Sequence, residues 1–216
     1  MASKGFNIVK RNKRPIYKVE LFLKKALAMF YTAPTSKKLF MSLESISERT
    51  IQTELVYCLR KLQEQSLVEF SSITAEQGRT LKNPKCILFS ECKLCERDQC
   101  LLKRNLSLFK TSKKNPRIVP DVIFHNLDKQ GSANNFLVCE LKIRNGLNMP
   151  KDCLTLNDSK VMKDRAKLSF CTCQKTSFPL HYQRGALVFL WKDGCVVEWY
   201  RDGKCQKNIW KYKKPK

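Results

Sequence analysis

Residues 117–144 bring two acids and a lysine together with the apolar patterns of two strands. The apolar runs VIF and FLVC flank a polar loop, HNLDKQGSANN; Asp121 opens the first run, and Glu140 and Lys142 belong to the second. Alternate residues of a strand share a face, so Glu140 and Lys142 point the same way. In a hairpin, Asp121 approaches both. Two carboxylates beside a lysine suit Mg²⁺ or Mn²⁺ and the cleavage of phosphodiester bonds.

The apolar character of both runs bears on how this stretch is interpreted. Each run is apolar at consecutive positions, which is typical of strands that are buried on both faces. Charges in such strands cost free energy unless they have partners or a metal. The alternative is a Pro120-Asp121 turn with Glu140 and Lys142 paired on the surface. We favour the metal site because it accounts for charges within apolar strands.

The charge balance indicates the class of partner. The 216 residues include 42 Lys and Arg against 19 Asp and Glu, a formal net charge of +23. This excess indicates a polyanion: nucleic acid, with DNA favoured over RNA, or the rival, an anionic membrane surface. We expect no membrane insertion, since no apolar run reaches the ~20 residues of a span. Basic clusters at 10–14 and 211–216 are either localisation signals or tails that add phosphate affinity.

Cysteine usage indicates a compartment and raises a second metal question. The eleven cysteines are odd in number, and the first residues lack the apolar region of a secretory signal. We therefore expect an intracellular, reducing compartment (cytoplasm, or nucleus or nucleoid) and no secretion. Cys86, Cys92, Cys95 and Cys100 lie close together in sequence. They are either reduced structural thiols or ligands of Zn²⁺ or an iron–sulfur cluster, although the spacing is compressed for a zinc ribbon.

Hydrophobic periodicity predicts the elements that position the acids and the lysine. Apolar residues at helical spacing predict one helix over 17–31 and another that Ser47 caps. The further predicted elements, in chain order, are strands at 67–73 and 106–110, the two strands of 117–144, a helix over 157–168 and beyond, strands at 186–191 and 195–200 around an Asp-Gly turn, and a last strand near 208–212.

The motifs and the element order resemble one nuclease family. Pro120-Asp121 and Glu140-Leu141-Lys142 resemble the two halves of the PD-(D/E)xK signature, and the resemblance covers about residues 47–200. It implies an α/β restriction-endonuclease-like core, which is a mixed sheet flanked by helices. It further implies a nuclease that uses Mg²⁺ or Mn²⁺. Asp121, Glu140 and the Leu141 carbonyl are then metal ligands, and Lys142 orients the attacking water or stabilises charge on phosphorus.

The helix that Ser47 caps has two functional interpretations and one structural one. As the first helix of the nuclease core, it turns Glu54 toward the active site as an additional catalytic carboxylate and metal ligand. It also resembles the recognition helix of winged-helix DNA-binding proteins, in which Arg49, Thr50 and Gln52 occupy base-contacting positions. In the structural interpretation, Glu54 is a surface acid. Nucleic-acid contacts are also assigned to His125, Lys160 and Lys163.

These observations lead to one predicted organisation and one rival. We divide the chain into a basic arm with a helical, winged-helix-like extension (1–46), a nuclease-like core (47–205) with a Cys-rich insertion (74–116), and a basic tail (206–216). The predicted function is metal-dependent phosphodiester hydrolysis. The rival is a non-catalytic nucleic-acid-binding protein with a winged-helix N-terminal region and a degenerate nuclease core. Homodimerisation stays open.

Overall fold

A mixed β-sheet with helices on both faces forms the framework of the protein. The computed structural model describes residues 14–35, 39, 47–65, 68, 70, 72–75, 120–126, 134–144, 159–174 and 182–215. Within these residues, no helix is both long enough and apolar enough to cross a membrane. The predicted α/β class is confirmed.

Seven strands in the described part of the chain make up the sheet. Their bounds are β1 Ser72–Ala75, β2 Val122–His125, β3 Asn135–Ile143, β4 Arg184–Trp191, β5 Gly194–Arg201, β6 Lys204–Cys205 and β7 Trp210–Lys213. The order is β1-β2-β3-β4-β5-β6. Strand β7 also pairs directly with β5, at other residues than the short β6 does. Neighbouring strands are antiparallel except β3 and β4, which are parallel. The predicted hairpin of residues 117–144 is therefore formed.

Among the described residues, two helices cover one face of the sheet. They are α1, Arg14–Thr32, and α2, Glu48–Glu64. Their apolar stripes bury side chains such as Leu27 and Leu55 against Phe124 of the sheet. The predicted cap of α2 is formed, since the Ser47 hydroxyl accepts a hydrogen bond from the Thr50 amide at 3.2 Å.

In the described part of the chain, one helix, α3 (Ser159–Thr172), covers the opposite face. It connects the parallel strands β3 and β4, which cannot be joined by a tight turn. Val161 and Leu168 of α3 pack with Leu187 and Phe189 of the sheet. This face also buries charged side chains, and these form the candidate site.

Tight turns precede and follow β5 at one edge of the sheet. Asp202 and Gly203 both have positive φ, 49° and 74°, as a type I′ hairpin turn requires. Gly194 begins β5, and a side chain there would collide with the Tyr212 carbonyl, so only glycine fits.

Several sequence predictions concern the ends of the chain and its middle. In the structure, α1 shares the buried core of α2 and the sheet, and β7 of the C-terminal segment pairs with β5. Most of the Cys-rich insertion, the strand at 106–110 and the first two residues of the helix predicted over 157–168 lie outside the described residues. The same is true of Cys86, Cys92, Cys95 and Cys100, so the zinc hypothesis stays a prediction.

Candidate functional site

The hairpin of β2 and β3 brings Asp121 to Glu140. Val122 pairs with Cys139, so the same register sets Asp121, one residue earlier, opposite Glu140. The Leu141 amide donates a hydrogen bond to Asp121 Oδ2 at 2.6 Å, which fixes the aspartate against the carboxyl half of β3.

Glu140 is buried, with 1% of the residue exposed, and its two carboxylate oxygens have different surroundings. Lys167 of α3 donates to Oε2 at 2.9 Å. Oε1 has no hydrogen-bond donor among the residues that the structure describes, and we call it the spare oxygen. Burial and the charge of Asp121 raise the pKa of Glu140 well above its ordinary value, although Lys167 opposes the shift. A buried acceptor without a donor is costly unless a ligand reaches it.

Two lysines and Asp164 join the acids into what we call the carboxylate–lysine cluster: Asp121, Glu140, Lys142, Asp164 and Lys167. Asp164 lies between the lysines: Oδ2 forms an ion pair with Lys142 at 2.8 Å, and Oδ1 forms one with Lys167 at 3.0 Å. The earlier helix residue, Asp164, contacts the later strand residue, Lys142, and the later helix residue, Lys167, contacts the earlier strand residue, Glu140. Helix α3 is therefore antiparallel to β3. The helix thus carries both residues over the strand that bears the predicted motif.

Glu48 of α2 closes the cluster on its exposed side. Lys142 donates to Glu48 Oε1 at 3.2 Å, and the glutamate side chain is half exposed. Glu48 therefore lies at the mouth of the cluster. The sequence predicted that Glu54, six residues further along α2, is the acid of this helix at the active site.

Burial raises the pKa of Asp121 to about 6, although the Leu141 amide and the charges of Lys167 and Lys142 act to lower it. Together with Glu48, the acids of the cluster outnumber its lysines, so the fully ionised cluster is negative. A divalent cation would balance this charge. In the described part of the chain, no three His, Cys, Asp or Glu side chains are placed to hold a metal by themselves. Two carboxylates with main-chain and water oxygens are then the donor set that this cluster offers.

The structure does not bring Glu54 into the cluster. Its Oε1 accepts a hydrogen bond from Thr35, just beyond α1. At 100° per residue, six positions along a helix turn a side chain by 240°, so Glu48 and Glu54 cannot face the same way. Glu54 instead lines a cavity of about 560 Å³ with Arg49 and Thr53.

The residues assigned to nucleic-acid contacts have different surroundings. Gln52 is buried, and its amide donates to the Asp121 carbonyl at 2.5 Å, so it ties α2 to the site. His125 is buried on β2, and its Nε2 lies 2.6 Å from the Thr74 hydroxyl. Arg49 and Lys160 are exposed, and Lys163 is half-buried. Of these five residues, only Arg49, Lys160 and Lys163 have side chains that are accessible to a large ligand.

Three residues of the site region were missed from the sequence: Glu48, Asp164 and Lys167. One signal for Asp164 was present. Val161, Leu168 and Cys171 form the buried stripe of α3, and Asp164 lies in that stripe with 4% exposed. A charge on an apolar stripe needs a partner nearby.

A second buried glutamate lies two strands away. Glu198 of β5 aligns with Leu187 of β4, which aligns with Glu140 of β3, so the three side chains form one row across the sheet. Arg165 of α3 donates to both carboxylate oxygens of Glu198, at 2.6 and 3.0 Å, and the Tyr200 hydroxyl adds a contact at 3.3 Å.

The fold and the cluster define an α/β protein with a mixed sheet between helices and a buried acid–lysine cluster at one end of the sheet. Comparison with protein-family models, with curated proteins and with solved structures finds no match to this chain.

Proposed function

We propose that this protein is a divalent-metal-dependent nuclease with a restriction-endonuclease-like core, acting on DNA rather than RNA. The observation that carries the proposal is the spare oxygen of Glu140, held beside Asp121 and Lys142 within one cluster. A buried acid with an open acceptor, next to a second acid and a lysine, suits metal-assisted phosphodiester hydrolysis.

The order of the elements supports the proposal. Helix α2 is followed by the antiparallel strands β1, β2 and β3, then by helix α3 and strand β4, which is parallel to β3. This order matches the one that the resemblance to the PD-(D/E)xK superfamily implies. The helices also lie on both faces of the sheet, as that core requires.

The residues present fit a divalent cation. Asp121 and Glu140 would hold it together with the Leu141 carbonyl. Burial raises the pKa of both acids although Lys167 acts to lower it, so the added positive charge of a cation would favour their ionised forms. When bound, Mg²⁺ or Mn²⁺ would polarise the scissile phosphate and acidify a water molecule.

Lys142 is suited to binding charge rather than to removing a proton. Burial alone would lower its pKa, but the carboxylates of Asp164 and Glu48 outweigh burial and raise it. Lys142 therefore stays protonated near neutral pH and can stabilise negative charge developing on phosphate oxygens.

Lys167 and Asp164 position the groups that act. Lys167 holds Glu140 through Oε2 and so leaves the spare oxygen for the cation. Burial would lower the pKa of Lys167 as well, but Glu140 and Asp164 raise it, so its ammonium group persists. Asp164 fixes the spacing of the two lysines.

The test compares substitutions in the cluster with matched substitutions outside it. Asp121→Asn and Lys142→Met should each lower the Mn²⁺- or Mg²⁺-dependent cleavage rate by about 10²–10³. Asp202→Asn and Lys204→Met, exposed positions at the β5–β6 turn, serve as controls and should cleave like wild type.

Substrates for this test are plasmid DNA, duplex and single-stranded oligonucleotides, and RNA of the same sequence. Cleavage that persists unchanged in Asp121→Asn and Lys142→Met would place any nuclease activity elsewhere. If the wild type binds DNA but cuts none of these substrates with either metal, the non-catalytic alternative is correct.

A further inference from the structure

Three lysines lie at the end of the sheet that carries the cluster, on strands far from it in sequence. Lys192 follows β4, Lys213 ends β7, and Lys214 comes next. Lys192 and Lys213 are exposed, and Lys214 is half-buried. We call these three residues the lysine rim.

Strand pairing brings the rim to the site. Ile143 at the end of β3 pairs with Leu190 near the end of β4, and the Arg144 amide donates to the Leu190 carbonyl at 2.8 Å. The parallel strands β3 and β4 therefore end together, and Lys192 follows directly.

The end of β7 reaches the same place by a second set of contacts. Trp191 of β4 pairs with Gly194 of β5, and Gly194 pairs with Lys213 of β7. The Lys214 amide donates to the Asp193 carbonyl at 2.8 Å. The rim thus continues the sheet end where β3 carries Lys142.

The dimensions and charge of the rim suit a phosphate backbone. Strands are spaced by about 4.8 Å, so β3 and β7, three strands apart, are separated by ~14 Å. One strand of duplex DNA places about four phosphates along that length. None of the three ammonium groups has an ion-pair partner within the described ranges.

We propose that the lysine rim binds the sugar–phosphate backbone of a nucleic acid whose scissile phosphate lies at the carboxylate–lysine cluster. This surface rests on the proposed function for its orientation, since the cluster defines which end of the sheet faces the substrate. Arg49 at the start of α2 and Lys160 at the start of α3 flank the same end, because both helices begin there.

A competing explanation is that edge lysines only prevent strands from pairing with other chains. The opposite end of the sheet provides a matched control. Arg201, Lys204 and Lys207 are also exposed and also belong to the edge formed by β5, β6 and β7, but they lie on the half of that edge away from the cluster. Net charge changes equally in the two sets, so the comparison tests their position relative to the cluster.

The experiment measures binding without cleavage. Full-length wild type, the rim variant (Lys192→Gln, Lys213→Gln, Lys214→Gln) and the control variant (Arg201→Gln, Lys204→Gln, Lys207→Gln) are titrated with labelled duplex DNA and a single strand in EDTA at several salt concentrations. The slope of log K against log[salt] should become shallower by about 2–3 in the rim variant and by less than about 1 in the control. Affinity near 150 mM salt should fall about tenfold or more only in the rim variant.

Each outcome bears on one proposal. Equal losses in the two variants, or none in either, would overturn the rim as a binding surface. So would binding to vesicles of anionic lipid that the rim variant loses while its DNA affinity is unchanged. Because the assay contains no divalent metal, the rim inference can stand even if Asp121→Asn still cleaves and the proposed active site fails. Circular dichroism and melting temperatures establish that both variants are folded, and the single change Lys192→Gln repeats the test with minimal perturbation.

Discussion

Glu140 and Glu198 are two buried glutamates in one row of the same sheet, and each meets a basic residue of α3. Arg165 occupies both carboxylate oxygens of Glu198, whereas Lys167 occupies one oxygen of Glu140. A guanidinium presents a planar fork that matches a carboxylate, and an ammonium is a single point of charge. The Glu198 pair is therefore complete, and the Glu140 pair is open.

The difference teaches how one helix can support both stability and chemistry. Arg165 and Lys167 are two residues apart on α3, which directs them to opposite flanks of the helix, toward β5 and β3 respectively. The closed pair lies in the interior of the apolar cluster with Val196 and Tyr200. The open pair lies beside Asp121 and Lys142, where the proposed cation would complete it.

The largest expected effect is on stability, at the closed pair. Arg165→Met should lower the free energy of unfolding by about 3–5 kcal/mol, because it leaves Glu198 buried without its cation. Lys167→Met should lower the free energy of unfolding by less, about 1–2 kcal/mol. The reason is that one oxygen of Glu140 already lacks a hydrogen-bond donor among the described residues, and that Lys142 still pairs with Asp164. Urea denaturation of both variants gives the values. Equal losses would mean that the two pairs do not differ as described.

The next effect is on catalysis, at the open pair. Glu140→Gln should lower the metal-dependent cleavage rate by about 10²–10³, while the unfolding free energy changes by less than about 1 kcal/mol. Glu198→Gln is the matched control: it should lose stability but cleave within about threefold of wild type at a temperature where it is folded. Single-turnover cleavage combined with urea denaturation tests both statements. A folded Glu198→Gln as inactive as Glu140→Gln would remove the distinction between the two glutamates.

A smaller effect is expected from metal binding itself. At a Mn²⁺ concentration of ten times Kd, wild type should gain about 1.4 kcal/mol of stability, since the cation binds only the folded cluster. Glu198→Gln should retain this gain, and Glu140→Gln should lose it. Melting temperatures with and without Mn²⁺ measure the shift and require no substrate. An undiminished shift in Glu140→Gln would place the cation outside the cluster.

The smallest effect distinguishes two acids of α2. Glu48→Gln should slow cleavage about fivefold, as expected for losing a half-exposed contact to Lys142 worth about 1 kcal/mol. Glu54→Gln should leave the rate unchanged, because its carboxylate meets Thr35 rather than the cluster. Comparison of kcat/KM for the two variants is sufficient. A larger loss in Glu54→Gln would restore that residue to the active site as the sequence predicted.

Many of the secondary-structure elements were predictable because they depend on local sequence patterns. Alternation and apolar runs predicted β2, β3, β4 and β5, the Asp-Gly signal predicted the turn between β4 and β5, and Ser47 predicted the start of α2. Strand β1 begins later than predicted, at Ser72 rather than 67. The ends of an element depend on which neighbour is available for pairing, and this is not a local property.

The site was predictable only where one hairpin creates it. Asp121, Glu140 and Lys142 approach each other because β2 and β3 are neighbours in sequence and in the sheet. Asp164 and Lys167 join them through the packing of α3 on β3, which no local pattern specifies. Glu48 and Glu54 flank the same apolar stripe of α2, and only the orientation of that helix on the sheet selects between them.

By itself, the sequence determined an α/β chain with strongly basic composition and a hairpin that joins two acids to a lysine. These properties follow from periodicity and from contacts between neighbouring strands. The tertiary structure alone decided which glutamate is open. Glu140 and Glu198 both lie in apolar strands, CELKI and CVVEWY, that look alike in sequence. The two glutamates differ in the side chain that α3 places opposite each, because the hydrogen bonds of a buried carboxylate depend on the donors that tertiary packing brings to it.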